Sequence, residues 1–306
     1  LVAAPRVSIV IRAFNEARHI EPLLKGIHEQ TFTDYEIILV DSGSTDNTVA
    51  IAERYQVTVV HIPSEEFTFG RSLNRGIAAA AGEFIVNISA HCRPMDDHWL
   101  ANLLAPFEDQ EIALAYGMQR GAPASRYSER QFFALYYPPV SHPRQVDPFC
   151  NNANAAIRRA LWETNPYDES LTGLEDLAWA SWALQSGYYI AYVAEAGVIH
   201  VHEERPAQVF NRYKREAIAM KTILPDSRYT LRNFLRLWVS RVFSDWRFAF
   251  AEGVWLAKAW EIIWFRFMQF WGTYQGYNFS GEVSPELRQT FYYSPRILTE
   301  NRTIRD

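Results

Sequence analysis

The sequence predicts an α/β fold with a mostly parallel sheet flanked by helices, followed by a C-terminal helical appendage. Three observations carry this. Between residues 6 and 92, short apolar runs alternate with helix-patterned runs, and each apolar run stops at a polar cluster. From about residue 226 the chain becomes helix-patterned and holds six of the ten tryptophans, with 11 basic against 8 acidic residues. Strands alternating with helices at this spacing build parallel sheets, because a parallel crossover needs a helix. The expected division is therefore 1–225 and 226–306.

The elements follow in order. VSIVIRAF (7–14) is an unbroken β-branched run, short enough for a buried strand. Asn15-Glu16 then opens a helical pattern through Leu23, Leu24 and Ile27. EIILVD (36–41) is a second strand, and the turn cluster SGSTDNT (42–48) leads into a helix to about Tyr55, with Asp46 suited to the cap. VTVVHI (57–62) is a third strand, RSLNRGIAAAAG (71–82) a helix closed by Gly82, and EFIVNIS (83–89) a fourth strand. The middle of the chain mixes helices over 98–107 and 173–187 with short strands at IALAYG (112–117) and YYIAYV (188–193). Sheets of this class bind ligands beyond the carboxyl ends of their strands. Residues 13–16, 41–46 and 89–92 are the ones placed there.

Composition removes several functions. With 30 Lys+Arg against 35 Asp+Glu, the net charge of −5 lacks the basic footprint of nucleic-acid binding. Two cysteines, Cys92 and Cys150, cannot form a disulfide framework and read as reduced thiols. Reduced thiols fit the cytoplasmic setting that is expected, and no leader pattern is visible in the opening LVAAPRVSIVIR. Glu252, Lys258, Glu261 and Arg266 interrupt the longest apolar stretch (248–271), which argues against a spanning helix.

In this order and at these spacings, VSIVIRAFNEARHI, EIILVDSGSTDNT, EFIVNISAH and GLEDLAW resemble the inverting glycosyltransferases of family two, which have the Rossmann-like GT-A fold. The likeness covers about residues 5–225. A dinucleotide-binding reading fails at the first turn, where no G-x-G-x-x-G follows strand 7–14. The resemblance implies transfer of a sugar, with inversion, from a nucleotide-diphosphate donor to a carbohydrate or lipid-linked acceptor, in polysaccharide biosynthesis. It implies that the Ala13-Phe14 backbone and the Glu16 carboxylate grip the nucleoside, and that Asp41 reads the nucleobase edge. Asn74 matches the asparagine of an Arg-Asn pair near the donor. Leu73 stands at the arginine's place, and Arg71 is a neighbouring cation that could supply the charge or face solvent. Arg212 belongs to a basic stretch that closes over the diphosphate in similar enzymes, where added cations would stabilise the leaving group.

The departure lies at the metal motif. Family members end the fourth strand with Asp-x-Asp, but this strand ends Ser89-Ala90-His91-Cys92. Ser89 stays with the donor, and His91 takes the second aspartate's place. VIHVH (198–202) resembles the histidine-bearing segment that completes such sites; of His200 and His202, the latter lies nearer the loop. Imidazole suits Mn²⁺ or softer ions better than Mg²⁺, while loss of both carboxylates removes most affinity for a hard ion. Mn²⁺ or Mg²⁺ binding and metal independence both stay open. A zinc site from His91, Cys92, Cys150 and His202 lacks finger-like spacing.

On the acceptor side, the resemblance makes Asp176 the catalytic base and Glu175 an acceptor ligand. Asn152 and Asn154 line the same region, and Trp179 is placed to stack on a sugar ring. Glu175 and Asp176 could instead stabilise a helix start through its dipole. The rival from another class is a non-catalytic carbohydrate- or nucleotide-binding domain on a decayed GT-A frame. The stripe Leu231, Phe234, Leu235, Trp238, Val239, Val242, Phe243, Trp246 forms an amphipathic helix. Its interleaved arginines leave three uses: packing on the main domain, a homodimer interface, or peripheral contact with the inner face of a membrane.

Overall fold

Four strands, β1 (Val7–Ala13), β2 (Tyr35–Asp41), β3 (Thr58–His61) and β4 (Phe84–Ser89), alternate with helices α1 (Ile20–His28), α2 (Thr48–Ala52) and α3 (Phe69–Ala78). All three pairings among these strands are parallel, with β1 between β2 and β4. The computed structural model of the chain describes residues 4–292. β1 is buried on both sides: Val7, Ile9 and Ile11 enter one apolar layer, and Val10 enters the other. That explains why its sequence reads as a continuous apolar run rather than an alternation. Ser8, on the second face, donates to Glu36 and accepts from the Gly82 amide, so its hydroxyl is satisfied inside the core. α3 lies directly on β1 and β2. A Cβ at Gly76 would meet Val10 and Val40 at 2.5 and 2.7 Å.

The rest of the sheet comes from β5 (Cys92–Pro94), β6 (Ile112–Gly121), β7 (His142–Gln145), β8 (Asn154–Arg158) and β9 (Tyr189–His200). Helices α4 (Trp99–Leu104), α5 (Tyr127–Tyr136), α6 (Arg159–Thr164) and α7 (Glu175–Gln185) are interspersed. The strand order is β3-β2-β1-β4-β8-β6-β9-β5, with β7 also on β9. β8 runs antiparallel to both β4 and β6, so direction is mixed beyond the first four strands. The sequence reading did not identify β5, β7 or β8 as strands and stopped β9 at 193. β8 reads NAAIR, poor in β-branched residues. It is a strand because Ala155 and Ala156 are fully buried between its neighbours. Small side chains fit there, and tertiary packing overrides propensity.

The chain divides into two compact units. The first holds residues up to 125, 132–171 and 175–202; the second holds 126–131, 172–174 and 203 onward. The division thus falls at Glu203, ahead of the boundary expected at 226. The second unit contains α8 (Pro206–Ile223), α9 (Leu231–Ala251), α10 (Trp255–Tyr277) and α11 (Pro285–Tyr292). α8 belongs there because it packs backbone-close along α10: a Cβ at Gly272 would meet the Phe210 carbonyl at 2.5 Å, and one at Gly276 the Lys214 carbonyl at 2.4 Å. Two glycines four apart make that approach feasible. Thr230 caps α9 by accepting from the Asn233 amide.

A buried ion pair fastens this unit. Arg266 of α10 donates to both oxygens of Asp245 on α9, at 2.8 and 3.0 Å, and to the Ser128 carbonyl at 3.1 Å. Ser128 Oγ donates to Asp245 at 2.6 Å. Among the described residues, no helix is long and apolar enough to cross a membrane. Removing one member of a buried pair strands the other charge. Arg266→Ala is therefore expected to lower the unfolding free energy by about 3–5 kcal/mol, whereas Arg247→Ala, at an exposed position, should change it by less than about 0.5 kcal/mol. Urea unfolding followed by tryptophan fluorescence measures both.

Candidate active site

The carboxyl ends of β1 and β2 are interlocked by short polar side chains. Asn15 takes the left-handed region at φ 54°, which asparagine tolerates better than most residues. Its Oδ1 accepts from the amides of Thr45 and Asp46. In return the amides of Asn15, Glu16 and Ala17 donate to Ser44 Oγ, Thr48 Oγ1 and Asp46 Oδ2. Asp46 also accepts from the Thr48 amide at the start of α2, although the cap position itself is Asn47, one residue later. Asp41, almost wholly buried, accepts from the amides of Gly43 and Ser44, and His61 lies against it at 3.3 Å. The Ala13 carbonyl accepts from the amide and hydroxyl of Ser42, and Phe14 follows directly on the strand. Ala13, Phe14, Glu16 and Asp41 thus share one rigid rim.

That rim delivers Glu16 to the histidines. The Glu16 carboxylate accepts from His91 Nδ1 at 2.7 Å, which directs Nε2 toward Ser89 Oγ at 3.2 Å. His200, the last residue of β9, pairs in register with Cys92. Its Nδ1 donates to Gln119 Oε1 at 2.7 Å. His91, His200 and His202 each bring one ring nitrogen within 4.8 Å of the others. The rings of His200 and His202 are 4.1 Å apart, and both lie about equally far from His91, at 5.0 and 5.3 Å. The expected pair His91 and His202 is brought together, and His200 joins it. Three imidazoles, one of them oriented by a carboxylate, fit a borderline divalent cation and do not fit Mg²⁺, which prefers oxygen ligands. Cys92 and Cys150 are buried thiols in no such cluster among the described residues, and burial pushes both up in pKa, away from the thiolate.

The second half of the site is an acid pair. Glu175 and Asp176 open α7 and are 4% and 7% exposed. Glu175 Oε1 accepts from Arg12 Nη1 at 3.4 Å and from Asn152 Nδ2 at 3.3 Å. Asp176 accepts from the backbone amides of Asn152 at 3.0 Å and Leu177 at 2.8 Å. Asn152 Oδ1 in turn accepts from Asn87 of β4 and from the Tyr167 hydroxyl. Burial, and then the adjacent Glu175 charge, pushes Asp176 up to about 7, against the two amides and Arg12. A helix-start role accounts for the Leu177 contact. It does not account for two carboxylates buried side by side.

Several expected site residues are engaged elsewhere. Asn154 takes part in no open surface: its Oδ1 accepts from Trp99 Nε1, and its Nδ2 donates to the carbonyls of Met118 and Ala196. It ties β8 to its neighbours and is not an acceptor-lining group. Trp179 is 2% exposed and donates to the Asn165 carbonyl, which makes it a core residue unable to stack on a sugar. Asn74 donates to the Tyr167 carbonyl and Glu169, and accepts from Trp162 and the Tyr167 amide. Arg71 pairs with Glu169 at 2.8 Å. Both residues therefore hold the 167–169 loop. Arg212 lies in the helical unit, where burial opposes its charge but Glu204 and Glu129 hold its pKa high.

The sequence reading passed over Arg12, His200 as a full member, and Tyr167. Arg12 had a visible signal: it is the one charge within VSIVIRAF, and its guanidinium lies over the Phe69 ring at 4.6 Å while reaching Glu175. His200 and His202 alternate by two, which on a strand puts both on one face, and the structure brings both to His91. Tyr167 had no signal, since its role arises only where Asn87 and Asn152 meet.

The comparisons with known proteins bear on the family and the fold. The family profile described as Glycosyl transferase family 2 matches residues 8–164. The O-antigen chain rhamnosyltransferase RfbN of Salmonella typhimurium is 28% identical over 220 residues, 68% of this chain and 70% of its own. The O-antigen chain rhamnosyltransferase WbaN of Salmonella anatum is 30% identical over 196 residues, 60% of this chain and 62% of its own. Among solved structures, the mannosyltransferase PcManGT from Pyrobaculum calidifontis, in complex with GDP-Man and Mn²⁺, aligns with a TM-score of 0.61 at 19% identity. That alignment covers 95% of this chain and 88% of the neighbour, and it establishes the GT-A architecture. Nothing in these relatives favours a non-catalytic binding domain. With the profile spanning more than half of the chain, from β1 to α6, the protein belongs to glycosyl transferase family 2.

Proposed function

We propose that this glycosyltransferase moves a hexosyl or deoxyhexosyl unit, with inversion, from a nucleoside-diphosphate donor to a saccharide acceptor carried on a lipid. The buried Glu175–Asp176 pair is the observation that carries the reading. Asp176 takes the proton of the acceptor hydroxyl, whose oxygen forms the new bond to the anomeric carbon. The bond from that carbon to the diphosphate oxygen breaks, and the diphosphate leaves with the electron pair. A base with a pKa near 7 is ionised often enough and still accepts a proton readily. Arg12 and Asn152 orient Glu175, which faces the acceptor. Ala13, Phe14, Glu16 and Asp41 form the nucleoside side. The rhamnosyltransferase names of both Salmonella relatives support the deoxyhexosyl choice and a place in surface-polysaccharide assembly.

His91, His200 and His202 would hold a borderline divalent cation, whose chemistry is to neutralise the departing diphosphate. Glu16 acts on this site through His91, fixing the ring and its tautomer.

Asp176→Asn should reduce transfer by several orders of magnitude with donor affinity nearly unchanged, because a base acts in the transition state. Activity within tenfold of the parent would place the base elsewhere. After chelation, the protein should bind Mn²⁺ more tightly than Mg²⁺ by calorimetry, and His200→Ala or His202→Ala should weaken Mn²⁺ binding by at least ~10-fold. An absolute Mg²⁺ requirement for transfer would contradict the histidine assignment.

A further inference from the structure

We propose that the exposed face of α9 docks on an anionic bilayer surface. α9 does not bury the whole of its apolar stripe. Phe234, Val242 and Ala249 are buried within the helical unit. Leu235 and Val239 remain 47% and 46% exposed, Phe243 62% and Phe250 76%. At 100° per residue, these four fall within one arc of roughly 80°, with Leu231 about 40° outside it and Phe248 on the opposite side of the helix. Beyond the turn into α10, Leu256 and Trp260 are 89% and 73% exposed and add to the apolar surface.

The charges on this face decide what it meets. Arg232, Arg236 and Arg247 are exposed; Arg232 falls within the same arc, and Arg236 and Arg247 lie roughly 20° and 40° beyond its edge. The ion pairs of the helical unit use Arg126, Arg212, Lys258 and Arg266. Among the described residues, none involves these three arginines. The single acid of α9 is Asp245, buried against Arg266 on another side of the helix. A face of phenylalanine and leucine studded with cations and lacking acids is repelled by its own copy, since a symmetric contact sets arginine against arginine. It complements a surface that is negative at its headgroups and apolar beneath them.

The test uses the full chain with vesicles of phosphatidylcholine, alone or mixed with phosphatidylglycerol. Flotation is expected with the anionic vesicles and should decline as salt is raised. The triple variant Arg232→Glu, Arg236→Glu, Arg247→Glu should lose ~100-fold in partitioning. Phe243→Ser with Phe250→Ser should lose ~10-fold or more, as buried apolar area is removed. Both variants change exposed positions, and an unchanged melting temperature verifies that they fold. A chain that stays in the soluble fraction with anionic vesicles at low salt overturns the proposal. So does flotation that neither variant weakens, or a parent dimer that sedimentation shows Phe243→Ser to dissociate.

Discussion

Two carboxylates buried next to each other form the constraint on which the sheet domain of this protein turns. Ionised carboxylates are held in an interior only when hydrogen bonds and opposite charge offset the lost solvation. Glu175 and Asp176 draw those partners from separated parts of the chain. Arg12 comes from β1, Asn152 from the loop before β8, and Asn87 and Tyr167 hold Asn152 in place. β1 and β4 are adjacent in the sheet, and β8 runs beside β4. Strand order therefore brings this network together, and the network in turn explains polar residues inside strands that are otherwise apolar.

The same strand ends explain the histidine cluster. At the strand end where the family resemblance leads one to expect Asp-x-Asp, the chain has Ser89 and His91, and the carboxylate of Glu16 binds the imidazole and so orients it. In the proposed site the ligand atoms are imidazole nitrogens, which suit a borderline ion better than a hard one. The pairing of Cys92 with His200 across β5 and β9 is what makes a third imidazole available. A change in motif and a strand-pairing register thus act together.

Much of this was legible in the sequence, because strand ends and turn clusters are local signals. The β1–β4 alternation, the Ser-Thr-Asp turn and the Glu-Asp opening of a helix all follow from periodicity and capping chemistry. Residues that serve long-range contacts were not legible in the same way. Asn74, Asn154 and Trp179 look like ligand-binding residues by type, yet each satisfies backbone groups far away in sequence. A polar side chain on its own does not say whether its partner is a substrate or a carbonyl. β8 stayed hidden because alanines make a strand only where neighbouring strands require small side chains. The stripe on α9 is amphipathic in the sequence, but sequence cannot say how much of an apolar stripe a neighbouring helix covers. In the structure, about half of it stays exposed, and that remainder carries the arginines.

The most direct test is the pH profile of kcat/KM for transfer. Asp176 is pushed up to about 7 by burial and by Glu175, so a base at this position, as proposed, is protonated and inactive below that value. The rate should rise about tenfold per pH unit and level off near pH 7, and Glu175→Gln should move the midpoint to lower pH by removing the like charge. A profile that is flat through the acidic range, or a midpoint unmoved by Glu175→Gln, would contradict the assignment of Asp176 as the base.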